Sequence, residues 1–267
     1  MRQLPAKALL DDVLDLNSRW FSWIDTITAF EKALKSKIPW EQLDDHSRKG
    51  VEAHLRTGIP SMQPLINSMY LTMVSGFEEY LRDTIKEATK FYSSSRQKYD
   101  DLDPAVRKTH VRESARLLLR IDSPPDHFQV DMDDLCRGLG SCTPGSNSVL
   151  LNSDAFADVD SLIVLETFGE RLGAFGINVS LDVLGKSRGV RAALRISMQA
   201  GARETAKTLG KELSIMRRYR NKIAHAGGSA SEVSMDVLGT HRELIKAVGE
   251  AINDVVIQWQ QRDARRR

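Results

Sequence analysis

Cysteine is scarce in this chain of 267 residues, which contains only Cys136 and Cys142. Two thiols cannot build a disulfide framework, and their spacing fits no common zinc-binding pattern. A reducing compartment is therefore expected. Long apolar runs are also missing, since no stretch approaches the roughly eighteen residues that span a bilayer. Acidic residues interrupt the N-terminus before a signal-peptide core can form. The sequence predicts a soluble cytoplasmic protein with no membrane contact.

A large excess of either charge is absent as well. The formal net charge is +2, while 41% of the residues are hydrophobic and 28% are charged, as in an ordinary globular protein. The length allows one large domain or two small ones. Because no global basic field exists, any nucleic-acid binding has to rest on a local basic patch.

Convincing strand alternation is absent too, whereas apolar residues recur at intervals of three and four along most of the chain, which is the period of an α-helix. Long helices are expected over residues 62–92, over residues 197–226 and from Ser229 or Ser231 to beyond Trp259. An Asp-Pro pair begins a further helix over residues 103–120. Residues 122–148 carry loop signals and are expected to be irregular. The sequence thus predicts an all-α bundle of long helices with an irregular middle segment.

The N-terminal region has a helical stripe of its own, followed by a shorter and more polar helix over residues 40–57, between two prolines. We therefore expect residues 1–57 to form a helical hairpin, either semi-independent or part of the same domain as residues 58–267. The N-terminal stripe comprises Leu9, Val13, Leu16, Trp20, Ile24, Ile27 and Leu34.

Arg220 occupies an unusual position in the helix predicted over residues 197–226. At 100° per residue it falls in the middle of an apolar face. A guanidinium in such a face is costly unless it is paired or opens onto a cleft. The other members of that face are Leu209, Leu213, Met216 and Ile223.

His225 lies in the last turn of the same helix, about 140° around the axis from Arg220. Arg217 and Asn221 precede it at successive fourth positions, so the three side chains can line up along one side. Imidazole is the side chain best suited to accepting and donating protons near neutral pH. Arg218 and Lys222 add positive charge beside this row.

The segment Arg220-Asn221-Lys222-Ile223-Ala224-His225 resembles the signature of the HEPN (higher eukaryotes and prokaryotes nucleotide-binding) family, in which an Arg precedes a His by a few residues. The earlier helix, MYLTMVSGFEEYLRDTIKEAT, is similar to the family's other core helix, which often carries a Glu near Glu78 or Glu79. The arrangement of helices is similar to the RiboL-PSP type, and the resemblance covers about residues 60–260.

The resemblance implies a metal-independent endoribonuclease without a cofactor, whose two protomers pack their motif helices around one cleft. The 2′-hydroxyl of the RNA attacks the adjacent phosphate, His225 acts as general acid or base, and Arg220 stabilises the phosphorane. Asn221 orients His225 or the phosphate, and Glu78 or Glu79 supports Arg220. The flanking Arg217, Arg218 and Lys222 hold RNA phosphates. Such enzymes are typically toxins or anti-phage effectors, so an antitoxin or regulatory protein is an expected partner.

The geometry of a single helix also favours a dimer. Two antiparallel copies related by a two-fold axis place Arg220 of one chain near His225 of the other. The same interface is expected to cover the apolar face around Met216 and Ile223.

Simpler interpretations stay open for each residue. Arg220 can form a buried ion pair with Glu78 or Glu79, and His225 can act as a helix cap. The cluster of Arg217, Arg218 and Lys222 can be a solvated face. His241, on an apolar stripe, is expected to be a core histidine. The alternative function is a non-catalytic helical dimer that binds RNA, a nucleotide or a protein.

Overall fold

A computed structural model describes residues 3–35, 45, 49, 62–120, 131–146, 149–159, 161–197, 199–225 and 233–265, apart from the side chains of residues 29–35. This part of the chain forms α-helices and no strand, which confirms the predicted all-α fold. The helices are α1 (Pro5–Lys35), α2 (Gln63–Ser94), α3 (Pro104–Leu118), α4 (Met132–Ser141), α5 (Ser153–Ala157), α6 (Glu166–Gly173), α7 (Leu181–Leu184), α8 (Arg188–Ala193), α9 (Ala202–His225) and α10 (Met235–Arg265). A 3-10 turn spans Tyr99–Asp101.

The helix α2 lies at the centre of the core. A proline in its first turn is compatible with a helix start, where its missing N–H has no intrahelical partner. The helix packs against α1, α5, α6, α9 and α10. Val74 and Ile85 are therefore buried together with Phe77 and Leu81. Each such side chain contributes about 1.5–3 kcal/mol through burial.

The side of α1 that faces the core is only partly the predicted one, since Ile24 of the predicted stripe is buried. Leu10 and Leu14 are buried, whereas Leu9 and Leu16 are exposed, as is Trp20. In the first half of the helix the buried side is rotated towards Leu10 and Leu14, and α1 lies close to its neighbours at two glycines. A Cβ at Gly76 of α2 would lie 2.9 Å from Val13 Cγ1, and one at Gly249 of α10 would lie 2.7 Å from Leu10 Cδ2. The predicted second helix of the hairpin, residues 40–57, lies almost wholly outside the described residues.

The middle segment contains more helix than predicted. Within the range 122–148, residues Met132–Ser141 form α4, which begins at Asp131. The Asp131 carboxylate accepts hydrogen bonds from the backbone N–H groups of Asp133 and Asp134, at 2.7 and 3.3 Å. These bonds satisfy two of the amide groups that a helix start leaves without partners. The prediction of an irregular segment was therefore wrong for α4.

Candidate active site

The motif residues all lie on α9, whose orientation is fixed by one apolar face. Leu209, Leu213, Met216 and Ile223 are buried as predicted, and α9 packs through them against α2 and α7. Because Met216 and Ile223 are already covered within one chain, they cannot supply an exposed apolar surface to a second copy. The prediction that a dimer interface covers the apolar face around Met216 and Ile223 was therefore wrong, because the other helices of the same chain cover this face.

Arg220 lies at the edge of this face and reaches α2. Its Nη2 atom is 3.7 Å from Oε2 of Glu78, whose side chain is 6% exposed, while the Arg220 side chain is 39% exposed. The Arg220 Nη1 group donates a hydrogen bond to Oδ1 of Asn221 at 3.1 Å. Both expectations for Arg220 hold together, because the guanidinium is ion-paired on one side and open to solvent on the other.

Glu78 and Glu79 take separate roles. Successive residues of a helix point about 100° apart, so only one of the two can face α9. Glu78 does so, and its Oε1 atom accepts a hydrogen bond from the Ser161 hydroxyl at 3.2 Å. The Glu79 carboxylate is exposed and lies 3.4 Å from Arg82 Nη1 of the same helix. Of the two glutamates suggested to support Arg220, the structure brings only Glu78 to it.

The Arg220 side of α9 opens into a small recess of about 230 Å³. One acidic group, two arginines and an amide surround this recess, so it is polar and of mixed charge. It is lined by Glu78, Ser161, Ile163, Arg217, Arg220 and Asn221.

The His225 side opens into a second, shallower recess of about 530 Å³, which contains no acidic side chain. His225 is the last residue of α9, and its side chain is exposed and makes no hydrogen bond with another residue in the described part of the chain. The predicted row of Arg217, Asn221 and His225 does line one recess. The full lining is Ser214, Arg217, Arg218, Asn221, Lys222 and His225.

The two recesses meet along Arg217 and Asn221, which line both. Arg220 contributes to one recess and His225 to the other, as the angle of about 140° between them requires. A single chain thus presents the two motif residues on opposite sides of a narrow ridge. One phosphate cannot be reached easily by both groups of the same chain.

His241 is a core histidine, as predicted. Its Nδ1 atom lies 2.8 Å from the hydroxyl oxygen of Tyr70, and its Nε2 atom lies 3.6 Å from Glu212 on α9. Burial lowers the pKa of His241, although the Glu212 carboxylate acts in the opposite direction. Through these contacts His241 of α10 connects Tyr70 of α2 with Glu212 of α9, and it thereby helps to fix the position of α9.

Ser161 and Ile163 were missed by sequence analysis. They lie in the segment between α5 and α6 and reach Glu78 and Arg220 only through the tertiary fold. No period or motif surrounds them in the sequence. A hydroxyl next to a buried carboxylate becomes recognisable only once the packing of α2 is known.

No group of three or more His, Cys, Asp or Glu side chains in the described part of the chain is arranged to hold a metal ion. None of the described helices is long and apolar enough to cross a membrane. Cys136 is exposed, Cys142 is buried, and both are free thiols.

Comparison with known families gives one result. The model of the RiboL-PSP-HEPN family matches residues 26–258. No curated protein and no solved structure matched the chain. The match begins inside α1, so the family likeness extends well before residue 60, where the resemblance was expected to start. It covers most of the described helices and includes both α2 and α9. The chain therefore belongs to the RiboL-PSP-HEPN family of HEPN domains.

Proposed function

We propose that the protein is a metal-independent endoribonuclease that acts as a homodimer through α9. The observation that carries the proposal is the environment of Arg220 and His225. Arg220 is held by the nearly buried Glu78 and still opens to solvent, and His225 is exposed at the end of the same helix. A guanidinium and an imidazole on one rigid helix are suited to phosphate chemistry.

The reaction is an internal transesterification. One histidine removes the proton of a ribose 2′-hydroxyl, and the oxygen attacks the adjacent phosphorus. The bond from phosphorus to the 5′-oxygen breaks, and a second protonated histidine gives that oxygen a proton. The products are a 2′,3′-cyclic phosphate and a 5′-hydroxyl. Arg220 neutralises the negative charge that grows on the non-bridging oxygens in the transition state.

Two chains account for this chemistry better than one. Arg220 and His225 of a single chain lie on opposite sides of the ridge formed by Arg217 and Asn221. A two-fold axis near the C-terminal end of α9 would bring Arg220 of one protomer towards His225 of its partner, and it would supply the second histidine. Half-buried Ile215 and Tyr219, rather than the fully buried Met216, are the apolar side chains of α9 available beside such an interface.

The cations around the motif are proposed to hold the RNA on both sides of the cut. Arg217, Arg218 and Lys222 are exposed next to His225. Lysine and arginine bind phosphate oxygens without reading the sequence. Asn221, which accepts a hydrogen bond from Arg220, orients the guanidinium or the phosphate that it holds.

The biological role we propose is that of a cytoplasmic toxin or anti-phage effector, restrained by an antitoxin or another regulatory protein. Uncontrolled cleavage of cellular RNA stops growth. Expression of the wild-type protein should therefore arrest growth, whereas His225→Ala expressed at the same level should not. Equal toxicity of the two proteins would contradict a role for RNA cleavage in the arrest.

The direct test uses purified protein and labelled RNA in excess EDTA. We expect the wild-type protein to cleave, and His225→Ala to bind the RNA without cleaving it. Complete loss of a robust cleavage on addition of EDTA would refute the proposed mechanism. Binding without cleavage by the wild-type protein would instead support the alternative, a non-catalytic RNA-binding dimer.

A further inference from the structure

The N-terminal half of α9 carries a row of cations that the motif does not explain. The helix contains seven Lys and Arg residues and two Glu residues. The rest of the chain has 31 Lys and Arg against 34 Asp and Glu, a formal net charge of −3. The helix therefore carries a formal net charge of +5, whereas the rest of the chain is slightly acidic.

These cations share one side of α9. Arg203, Lys207 and Lys211 are spaced four residues apart, and all three are exposed. Ser214 and Arg218 continue the same side into the recess that contains His225. We call Arg203, Lys207 and Lys211 the basic row. Residues four apart are about 6 Å apart along a helix axis, and Arg203 lies about 33 Å from His225 along α9.

The charges of the basic row are not balanced by ion pairs within the described part of the chain. Elsewhere in that part, several buried or half-buried arginines have carboxylate partners, as in Arg96 with Asp263 at 3.0 Å and Arg171 with Glu113 at 2.8 Å. The one exposed acidic side chain on α9 is Glu204. A straight row of exposed cations that leads to a site where a phosphate reacts raises the local concentration of a polyanion.

We infer that the basic row binds the phosphate backbone of single-stranded RNA that extends away from the cut site. The inference rests on the proposed function for the position of that site, and it names the substrate as an RNA that continues for several nucleotides beyond it. A single strand is favoured because its flexible backbone can follow a straight row of charges, independently of base sequence. The row carries no exposed aromatic side chain for stacking, so it contributes affinity and no sequence preference.

The test compares two triple variants of the full chain. The first is Arg203→Ala/Lys207→Ala/Lys211→Ala, and the matched control is Lys90→Ala/Lys108→Ala/Lys246→Ala. The control removes the same charge from exposed positions on α2, α3 and α10. Alanine has the highest helix propensity, so neither variant should weaken its helices. Melting curves of both proteins verify that they are folded.

Cleavage is measured on RNA of about 4 nucleotides and on RNA of about 25 nucleotides, at the lower limit of the usual span of single-strand binding sites and above it. We expect the row variant to lower kcat/KM on the long RNA about tenfold or more, with a much smaller change on the short RNA. The slope of log(kcat/KM) against log salt, which is negative, should become less steep by about 2, since each of the three lost phosphate contacts accounts for about 0.7. The control should change neither quantity. An equal effect of both variants, or equal losses on both RNAs, would overturn the inference.

Binding separates this inference from the proposed function. In a His225→Ala background, the anisotropy of a labelled 25-nucleotide RNA should show about tenfold weaker binding when the basic row is removed. Single-stranded DNA of the same sequence should compete, because the row contacts phosphates only. If the wild-type protein does not cleave but this loss of binding is seen, the proposed function fails and the basic row stands. If the wild-type protein cleaves RNA but the variant without the basic row binds RNA normally, the proposed function stands and the inference about the basic row fails.

Discussion

The contact between Glu78 and Arg220 can be tested by removing one charge. Glu78→Gln keeps the shape of the side chain and its ability to accept a hydrogen bond from Ser161, and removes only the carboxylate charge that faces Arg220. The attraction between unit charges 3.7 Å apart is about 1 kcal/mol in water and about 4 kcal/mol at an effective dielectric constant of about 20. Solvent reaches the Arg220 side chain, which is 39% exposed, and desolvation of Glu78 offsets part of the gain.

We therefore expect Glu78→Gln to lower the free energy of unfolding by only about 1 kcal/mol, which corresponds to a decrease in Tm of about 2–4 °C for a chain of this size. The effect on cleavage should be larger. A displacement of about 1 Å in a catalytic group can reduce the rate about a hundredfold, and without the Glu78 charge the guanidinium loses its ion pair and keeps only the hydrogen bond to Asn221. We expect kcat to fall tenfold to a hundredfold with little change in KM, because the flanking cations still bind RNA.

Glu79→Gln is the matched control. It removes the same charge from the adjacent position, where the carboxylate is 49% exposed and contacts Arg82. Both kcat and stability should stay close to wild type. In an Arg220→Ala background, Glu78→Gln should cost no further activity, because the two changes remove the same interaction. A Glu78→Gln protein that cleaves at the wild-type rate, or equal losses in the two Gln variants, would refute the positioning role of Glu78.

Three further predictions concern the motif, the dimer and the core. His225→Ala and Arg220→Ala should each reduce cleavage at least about a hundredfold. Because His225 is exposed, circular dichroism should show that His225→Ala is folded. Near-normal cleavage by His225→Ala would exclude His225 from the reaction. Mixing the two inactive variants should restore part of the activity if the site is composite, whereas full activity of a protein that is monomeric by light scattering would exclude a shared site. Burial lowers the pKa of His110 to about 4, so the unfolded chain binds more protons between pH 6.5 and 4. Stability should therefore fall as the pH decreases through this window, by up to about 3 kcal/mol. Urea unfolding of His110→Gln should show a weaker dependence on pH, and an identical dependence would contradict this assignment.

The parts of the fold that followed from the sequence are those with one clear apolar period. Residues 62–92 were predicted as helix and the structure gives Gln63–Ser94, because apolar residues recur at the α-helical period over this whole range. The helix that carries the motif was predicted over residues 197–226, and its apolar face lies where the period placed it. Arg220, which was predicted in the middle of that face, instead lies at its edge with a side chain that is 39% exposed.

The remaining features depend on tertiary contacts. In the first half of α1, Leu10 rather than Leu9 is buried, and Leu10 packs where α10 has Gly249. The choice between Glu78 and Glu79 depends on the angle at which α2 crosses α9. Ser161 comes from a segment without regular period. At the start of α4, Asp131 and the acidic residues after it are typical of a helix N-terminus. The glycines that follow are more typical of a loop, and the segment was therefore predicted to be irregular.

The central claim is that the 2′-hydroxyl of RNA is the nucleophile. It is tested most directly with a DNA oligonucleotide that contains one ribonucleotide, incubated with the wild-type protein in EDTA and compared with an all-DNA oligonucleotide. We predict a single cut after the ribonucleotide, with a 2′,3′-cyclic phosphate on one fragment and a 5′-hydroxyl on the other, and no cut in the all-DNA strand. Fragments that end in a 3′-hydroxyl, or cleavage at a deoxynucleotide, would contradict the account.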